Sequence, residues 1–339
     1  MNSKLFNRLA LISIFLAMVV IFLGAYTRLG DAGLGCPDWP GCYGHLTVPD
    51  KHHEVAKANQ TYPDRPVVAA KAWKEMVHRY FASTLGLLIV IMAIIAVRNR
   101  HDRNQLVALP LFLVAWVVFQ GLLGMWTVTI KLNPTIVMSH LMGGLTTFSV
   151  LTWIYLRQTN VLTEKRLDLT RLNRLHGLAL LALLVVIAQV MLGGWTSSNY
   201  AALACGDNFP MCQNQWWPAM DFKQGFVLWR GTDLNFEFGV LQNDARIAIQ
   251  MTHRIGALIT TLVLAVLAFK LIDFKESKCL GKLGSALLVV LVIQIMLGVS
   301  NVLLSLPLGI AVAHNAVGAL LLVLMVAINH AIRPRAEVL

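Results

Sequence analysis

A chain of 339 residues that is 57% hydrophobic and only 13% charged, with a mean hydropathy of +0.66, is excluded from the soluble class, where about 25% of residues are charged. Its formal net charge of +11 invites a nucleic-acid reading. The basic residues gather instead at the ends of apolar runs, as in a polytopic membrane protein, and no nucleic-acid partner is expected.

Eight apolar stretches approach the roughly 20 residues that a helix needs to cross a bilayer. They run over 9–27, 77–97, 106–129, 135–156, 176–196, 247–270, 283–305 and 309–331. The first has Lys4 and Arg8 ahead of it, as a signal peptide would. No small-x-small cleavage site follows, and the run is longer than a signal core, so a retained helix is expected. With the N-terminus inside, the inner segments hold Lys4, Arg8, Arg98, Arg100, Arg103, Arg157, Lys165, Arg166, Arg171, Arg174, Lys270, Lys275, Lys278, Lys282, Arg333 and Arg335. The inside then carries +10 and the outside +1, which places both termini in the cytoplasm. Two long loops, about 28–75 and 197–246, fall outside.

The two halves align in register. Leu23-Gly24-Ala25-Tyr26-Thr27 matches Leu192-Gly193-Gly194-Trp195-Thr196, and nine residues after each Thr comes a cysteine, Cys36 or Cys205. Val77-His78-Arg79 matches Thr252-His253-Arg254, and Gln120-Gly121-Leu122-Leu123-Gly124 matches Gln294-Ile295-Met296-Leu297-Gly298. Four helices per repeat return the chain to the same side, so the repeat is parallel. The expected fold is an all-α integral membrane protein of two pseudo-symmetric four-helix bundles, divided at 1–160 and 161–339.

The repeat carries histidines. His78 and His140 are 62 residues apart in the first half, His253 and His314 are 61 apart in the second. All four fall near the outer starts of helices. A membrane histidine is costly unless it has a task, and two histidines facing each other across a helical bundle are the usual axial pair of a haem iron. Two haem-sized sites are therefore expected; the rival is that the histidines only hydrogen-bond helices together. Gly143-Gly144, Gly256-Ala257 and Gly318-Ala319 beside them leave room for a macrocycle or a close helix.

Arg79 and Arg254 each follow a histidine and need an anionic partner at that depth. A haem propionate fits, as does snorkelling to lipid phosphate. Three residues before His78 stands Glu75; three before His253 stands Gln250. On a helix these share the histidine's face. A carboxylate can take a proton or stabilise positive charge and an amide cannot, so the first half reads as the reaction site and the second as a resident haem site. Alternatively, Glu75 is a helix-start charge favoured by the dipole.

Cys36 and Cys42 lie in one outer loop, Cys205 and Cys212 in the other. The outside of a bacterial inner membrane is oxidising, so two local disulfides, Cys36–Cys42 and Cys205–Cys212, are expected. Their role is structural, or redox for the first pair; the spacing is poor for zinc. Cys279 reads as inner, unpaired and inert. His45, His52, His53, His101, His176 and His330 read as surface or structural. No phosphate loop, catalytic serine motif, HExxH or dinucleotide fingerprint is present.

The duplicated eight-helix plan, Glu75-Met76-Val77-His78-Arg79, Gly33-Leu34-Gly35-Cys36-Pro37-Asp38-Trp39-Pro40-Gly41-Cys42, Ser139-His140, Thr252-His253-Arg254 and Ala313-His314-Asn315 together resemble the haem A synthase family over nearly the whole chain. The resemblance implies oxidation of the C8 methyl of haem O to a formyl group through an alcohol. It implies haem O bracketed by His78 and His140, haem B as cofactor on His253 and His314, iron held only through haem, and Glu75 assisting the oxidation. Its partners would be membrane lipid and an electron acceptor that the sequence does not name. Docking with the farnesyltransferase that makes haem O, with oxidase assembly factors or with a second copy of the chain stays open. No Arg- and Ser-rich transit extension is seen, which points to a bacterial inner membrane. Two rival functions use the same histidines: a di-haem b-type electron-transfer cytochrome, which has no need of Glu75, and a transporter, which needs access from both faces.

Overall fold

The computed structural model describes residues 2–102, 105–162 and 169–333. Arg103, Lys165, Arg166 and Arg335 of the inner charge set lie outside them. Within them the chain is all α: α1 (Asn2–Leu29), α2 (His52–Thr61), α3 (Ala69–Arg98), α4 (Ala108–Thr129), α5 (Pro134–Thr159), α6 (Leu169–Ser198), α7 (Phe222–Gly225), α8 (Asn243–Ile272), α9 (Lys278–Leu303) and α10 (Leu308–Ile332). All but α2 and α7 are long and apolar enough to cross a membrane. At 22 to 30 residues each is long enough for the roughly 30 Å hydrocarbon layer. The protein is a multi-pass membrane protein.

The expected spans are all present, but α3 and α8 begin well before the apolar runs that announced them, at Ala69 and Asn243. Hydropathy misses their first turns because those are polar. The extension of α3 matters, because it puts Glu75 inside the helix, as Gln250 already was by its run; both are buried, at 5% and 4% exposure.

Helix adjacency has a repeat of its own. In the first half α1 packs on α3, α3 on α4, α4 on α5 and α5 on α1. In the second, α6 packs on α8, α8 on α9, α9 on α10 and α10 on α6. Between them α1 meets α10, α5 meets α6 and α5 meets α10. Exchanging the halves maps this set onto itself, so the adjacency is compatible with two four-helix rings about a pseudo-two-fold. The halves share one core: Ala10 and Ala17 of α1, Ala179 and Ala182 of α6, and Ala319 of α10 lie in the same buried cluster as Leu151, Leu267 and Met325. Small residues there let backbones approach closely, which is how helices associate where lipid is as apolar as leucine. The outward faces keep large apolar side chains, among them Phe15, Leu87, Val118, Leu262 and Val289, as lipid contact requires.

The turns that set the histidines repeat as well. α4 and α9 each end in two left-handed residues, Lys131 and Leu132 (φ 44° and 60°) and Ser305 and Leu306 (φ 56° and 63°). In each, the second residue's N–H bonds back to a carbonyl five residues earlier, Thr127 or Asn301, at 2.8 Å. A proline then opens the next helix at Pro134 or precedes it at Pro307, which the fixed φ of proline favours.

The two long loops lie at the same end of the molecule. The second reaches over the first half. Asn133 Nδ2 donates to the Gly231 carbonyl at 3.2 Å, Phe236 N–H donates to the Lys131 carbonyl at 3.1 Å, and Thr135 Oγ1 donates to the Leu228 carbonyl. Arg65 pairs with Glu237 at 3.2 Å. The halves are therefore tied by loops as well as by helices.

Candidate functional site

All four repeat histidines sit in the loop-side half of the bundle. His78 and His253 are the tenth and eleventh residues of α3 and α8, and His140 and His314 are the seventh of α5 and α10. At 1.5 Å per residue that is roughly 9–15 Å from the helix starts. In each half the two histidine-bearing helices stand diagonally across the ring.

His78 and His140 face each other with ring centres 6.4 Å apart and planes at 85°. An imidazole nitrogen binds a transition metal at roughly 2 Å, and a ring centre lies about 1 Å behind its nitrogen, so two rings sharing one iron stand about 6 Å apart. Among the described residues no set of three His, Cys, Asp or Glu converges on a common point. A donor set of two suits a group that brings its other ligands with it, as haem does.

Each histidine ring rests on a glycine of the preceding membrane-spanning helix. A Cβ at Gly24 would lie 2.9 Å from Cε1 of His78; at Gly124, 3.3 Å from His140; at Gly193, 3.3 Å from His253; at Gly298, 3.1 Å from His314. Four such seats, one per helix pair, fix four rings with a single device. These glycines are anchors of the sequence repeat, so the signal was present in the chain, but alignment alone does not say what an invariant position touches.

The glycines after the histidines do something else. Gly143, Gly256 and Gly318, expected to leave room for a macrocycle or a close helix, admit the neighbouring helices: each takes a glutamine amide, from Gln120, Gln189 and Gln294. Those amides reach the histidines: the Gln120 amide lies 2.8 Å from Nδ1 of His140, Gln189 Nε2 lies 3.1 Å from Nδ1 of His253, and Gln294 Nε2 lies 3.5 Å from Nε2 of His314. None was singled out from the sequence as a site residue.

The arginines, read alike from the sequence, differ. Arg79 pairs with Glu75, Nη2 to Oε1 at 2.5 Å, and its Nη1 donates to the carbonyls of Asp38 (3.1 Å), Pro40 (3.3 Å) and Gly41 (2.5 Å). Glu75 Oε2 accepts from the Cys36 N–H at 2.9 Å. The carboxylate thus joins α3 to the cysteine loop. Arg254 donates to the Met211 carbonyl at 3.0 Å and to those of Asn208 and Pro210 at 3.4 Å, and stands 5.7 Å from the Phe209 ring centre. Among the described residues no carboxylate pairs with it, and its Nε is buried without a partner, as is Oε1 of Gln250.

Disulfides join Cys36 to Cys42 and Cys205 to Cys212, and all four cysteines are fully buried. Each loop folds back so that its second cysteine pairs with a residue three further on, His45 or Gln215. In the first loop Asp38 accepts from the N–H groups of Tyr43 (2.6 Å) and Gly44 (2.7 Å). Burial pushes the Tyr43 phenol above its usual range against the pull of nearby Arg65, and its hydroxyl donates to the Pro66 carbonyl at 3.2 Å. Cys279 stands outside both disulfides. His52, His53 and His101 are exposed.

Known proteins place this arrangement. The chain is similar to "Heme A synthase" of Shewanella oneidensis, 47% identical over 94% of each chain. It is also similar to proteins of that name from Caulobacter vibrioides, at 26% identity over 94% of this chain and 92% of the other, and from Rhizorhabdus wittichii, at 26% identity over 97% and 94%. A family model described as cytochrome oxidase assembly protein matches residues 7–326, which include all four repeat histidines and both cysteine loops. The chain belongs to this COX15-CtaA family.

Proposed function

We propose that this protein is a haem A synthase that oxidises the C8 methyl of haem O to a formyl group through an alcohol. The observation that carries the reading is the pairing of His78 with His140 at an iron-sized separation, one helical turn from a buried carboxylate absent from the second half. His78 and His140 bracket the substrate. His253 and His314 hold haem B, which when bound supplies a one-electron relay. Arg254, which no carboxylate among the described residues answers, would hold a propionate of that haem. Arg79 is already answered by Glu75 and serves the substrate propionate only with its remaining donors. Glu75, held at one oxygen by Arg79 and at the other by Cys36 N–H, is the group that accepts a proton or balances positive charge as the methyl is oxidised.

The division into 1–160 and 161–339 follows this split of roles. The excess of inner positive charge supports cytoplasmic termini and sites toward the outer face of a bacterial inner membrane. Haem O carries an isoprenoid tail, and a site within the bilayer receives it directly from lipid.

The test is haem extraction and mass analysis of the protein purified after co-expression with a haem O-forming farnesyltransferase. Haem A or its hydroxylated precursor is the expected result. Haem B alone, with haem O unconverted in the membranes, assigns the protein to di-haem electron transfer instead.

A further inference from the structure

The two rings differ in the space that lies past the histidines, on the side away from the loops. Gly124 seats His140, and Gly121 stands one turn further from the loops on the same side of α4. Gly144 stands one turn past His140 on α5. At 1.5 Å per residue the two glycines lie about 4.5 and 6 Å beyond the histidine level. A Cβ at either would meet nothing within 4 Å among the described residues. Gly143 helps to keep that space open. A Cβ there would fall on the Gln120 amide, so the glutamine is drawn into the surface of α5 and leaves the Cβ direction of Gly144 free.

At the same registers the second half is filled. Ile295 stands for Gly121, and Val317 for Gly143. With that notch closed, the Gln294 amide lies against Gly318, the counterpart of Gly144, 3.3 Å from where its Cβ would be. The ring walls differ as well. α3 packs along α4 less extensively than α8 along α9. Packing between the halves is made by α1 and α5, so the looser α3–α4 seam is peripheral and faces lipid.

The open space adjoins a donor pair. His78 faces His140, and Nδ1 of His78 is buried without a hydrogen-bond partner. A haem between these rings, with its propionates toward Arg79, turns its opposite edge away from the loops. The isoprenoid tail of haem O leaves the macrocycle from that edge, where haem B carries only a vinyl group. We infer that Gly121 and Gly144 line a slot for the isoprenoid tail, opening to lipid between α3 and α4, and that Ile295 and Gln294 close the same slot in the second half. This rests on the proposed assignment of haem O to the first half, and it adds the feature by which each half selects its haem. Lipid is as apolar as the slot, so burying the tail supplies little affinity. The slot selects by fit: it admits a tail in one half, and overpacking excludes it from the other.

The experiment titrates haem O and, separately, haem B into the full-length protein in lipid nanodiscs, purified with its resident haem B, and follows binding by absorbance. The native protein is compared with Gly121→Ile, which copies the second repeat, and with Gly144→Ala. Gly121→Ile should weaken haem O binding roughly 10- to 100-fold and leave haem B binding at the same site unchanged. Gly144→Ala should weaken haem O several-fold, again without effect on haem B. Native haem O affinity in both variants overturns the inference. So does equal weakening of the two haems, because the added groups then act on the histidines and not on the tail. Should Gly121→Ile lose its resident haem B through misfolding, Gly144→Ala, whose methyl meets no neighbour, decides alone by the same comparison. His78→Ala, run in parallel, separates the two failures. If it still takes up haem O, or if the native protein takes up none, the assignment of haem O to the first half falls. If haem O binding needs His78 while the glycine variants behave as native, only the slot falls.

Discussion

Glu75 and Arg79 form an i,i+4 pair on α3, with Oε1 and Nη2 2.5 Å apart and side chains only 6% and 13% exposed. The second repeat keeps the arginine and loses the acid. The first site therefore holds a neutral pair where the second holds, among the described residues, a cation without an acid, and a haem bound as proposed would meet different fields in the two. Breaking a buried pair from one side costs about 3–5 kcal/mol, because it strands the other charge.

Glu75→Gln should retain both histidine pairs and lower haem A formation roughly a hundred- to ten-thousand-fold, the range of a lost acid–base group. Glu75→Gln with Arg79→Gln relieves the stranded cation, so it should recover stability toward thermal unfolding without recovering turnover. Native turnover in the single variant removes Glu75 from the chemistry.

His253→Ala should contain no haem B, and His78→Ala should retain haem B while failing to hold haem O. Absorbance and mass analysis of extracted haem distinguish them. Loss of all haem from both variants contradicts the division of roles between the halves.

Gly24→Ala places a Cβ 2.9 Å from Cε1 of His78 and must shift that ring, whereas a Cβ at Gly86 meets nothing within 4 Å. Gly24→Ala should therefore weaken haem O binding several-fold and leave haem B content unchanged, with Gly86→Ala native in both. Equal behaviour of the two alanines denies that Gly24 seats the histidine.

Replacing Cys36 and Cys42 together by serine opens a small ring, whose closure stabilises by about 2–3 kcal/mol on the loop-entropy estimate. The unfolding temperature in detergent should fall by several degrees. Because Cys36 N–H holds Glu75, turnover should fall too, while haem B content stays. A purely stapling role predicts that turnover at low temperature is native. The corresponding change at Cys205 and Cys212 should lower stability with a smaller effect on turnover, since Gln250 Oε1 has no such partner.

Much of this protein was legible in the chain itself. Eight spans and the register of four histidines follow from hydropathy and alignment of the halves, because a bilayer imposes one length and one polarity rule on every crossing segment. Even the Glu75/Gln250 asymmetry is a matter of aligned positions. Contacts between helices are another matter. Nothing in the periodicity says that Glu75 reaches Cys36 N–H and Arg79, that Gly256 makes room for Gln189, or that the second loop closes over the first half through Asn133 and Glu237. In lipid, side chains on every face of a helix are similarly apolar, so the pattern that tells a soluble helix which side is buried is weak here. Which polar atom meets which is decided only when small residues let the backbones come together, and that is a property of the packed structure.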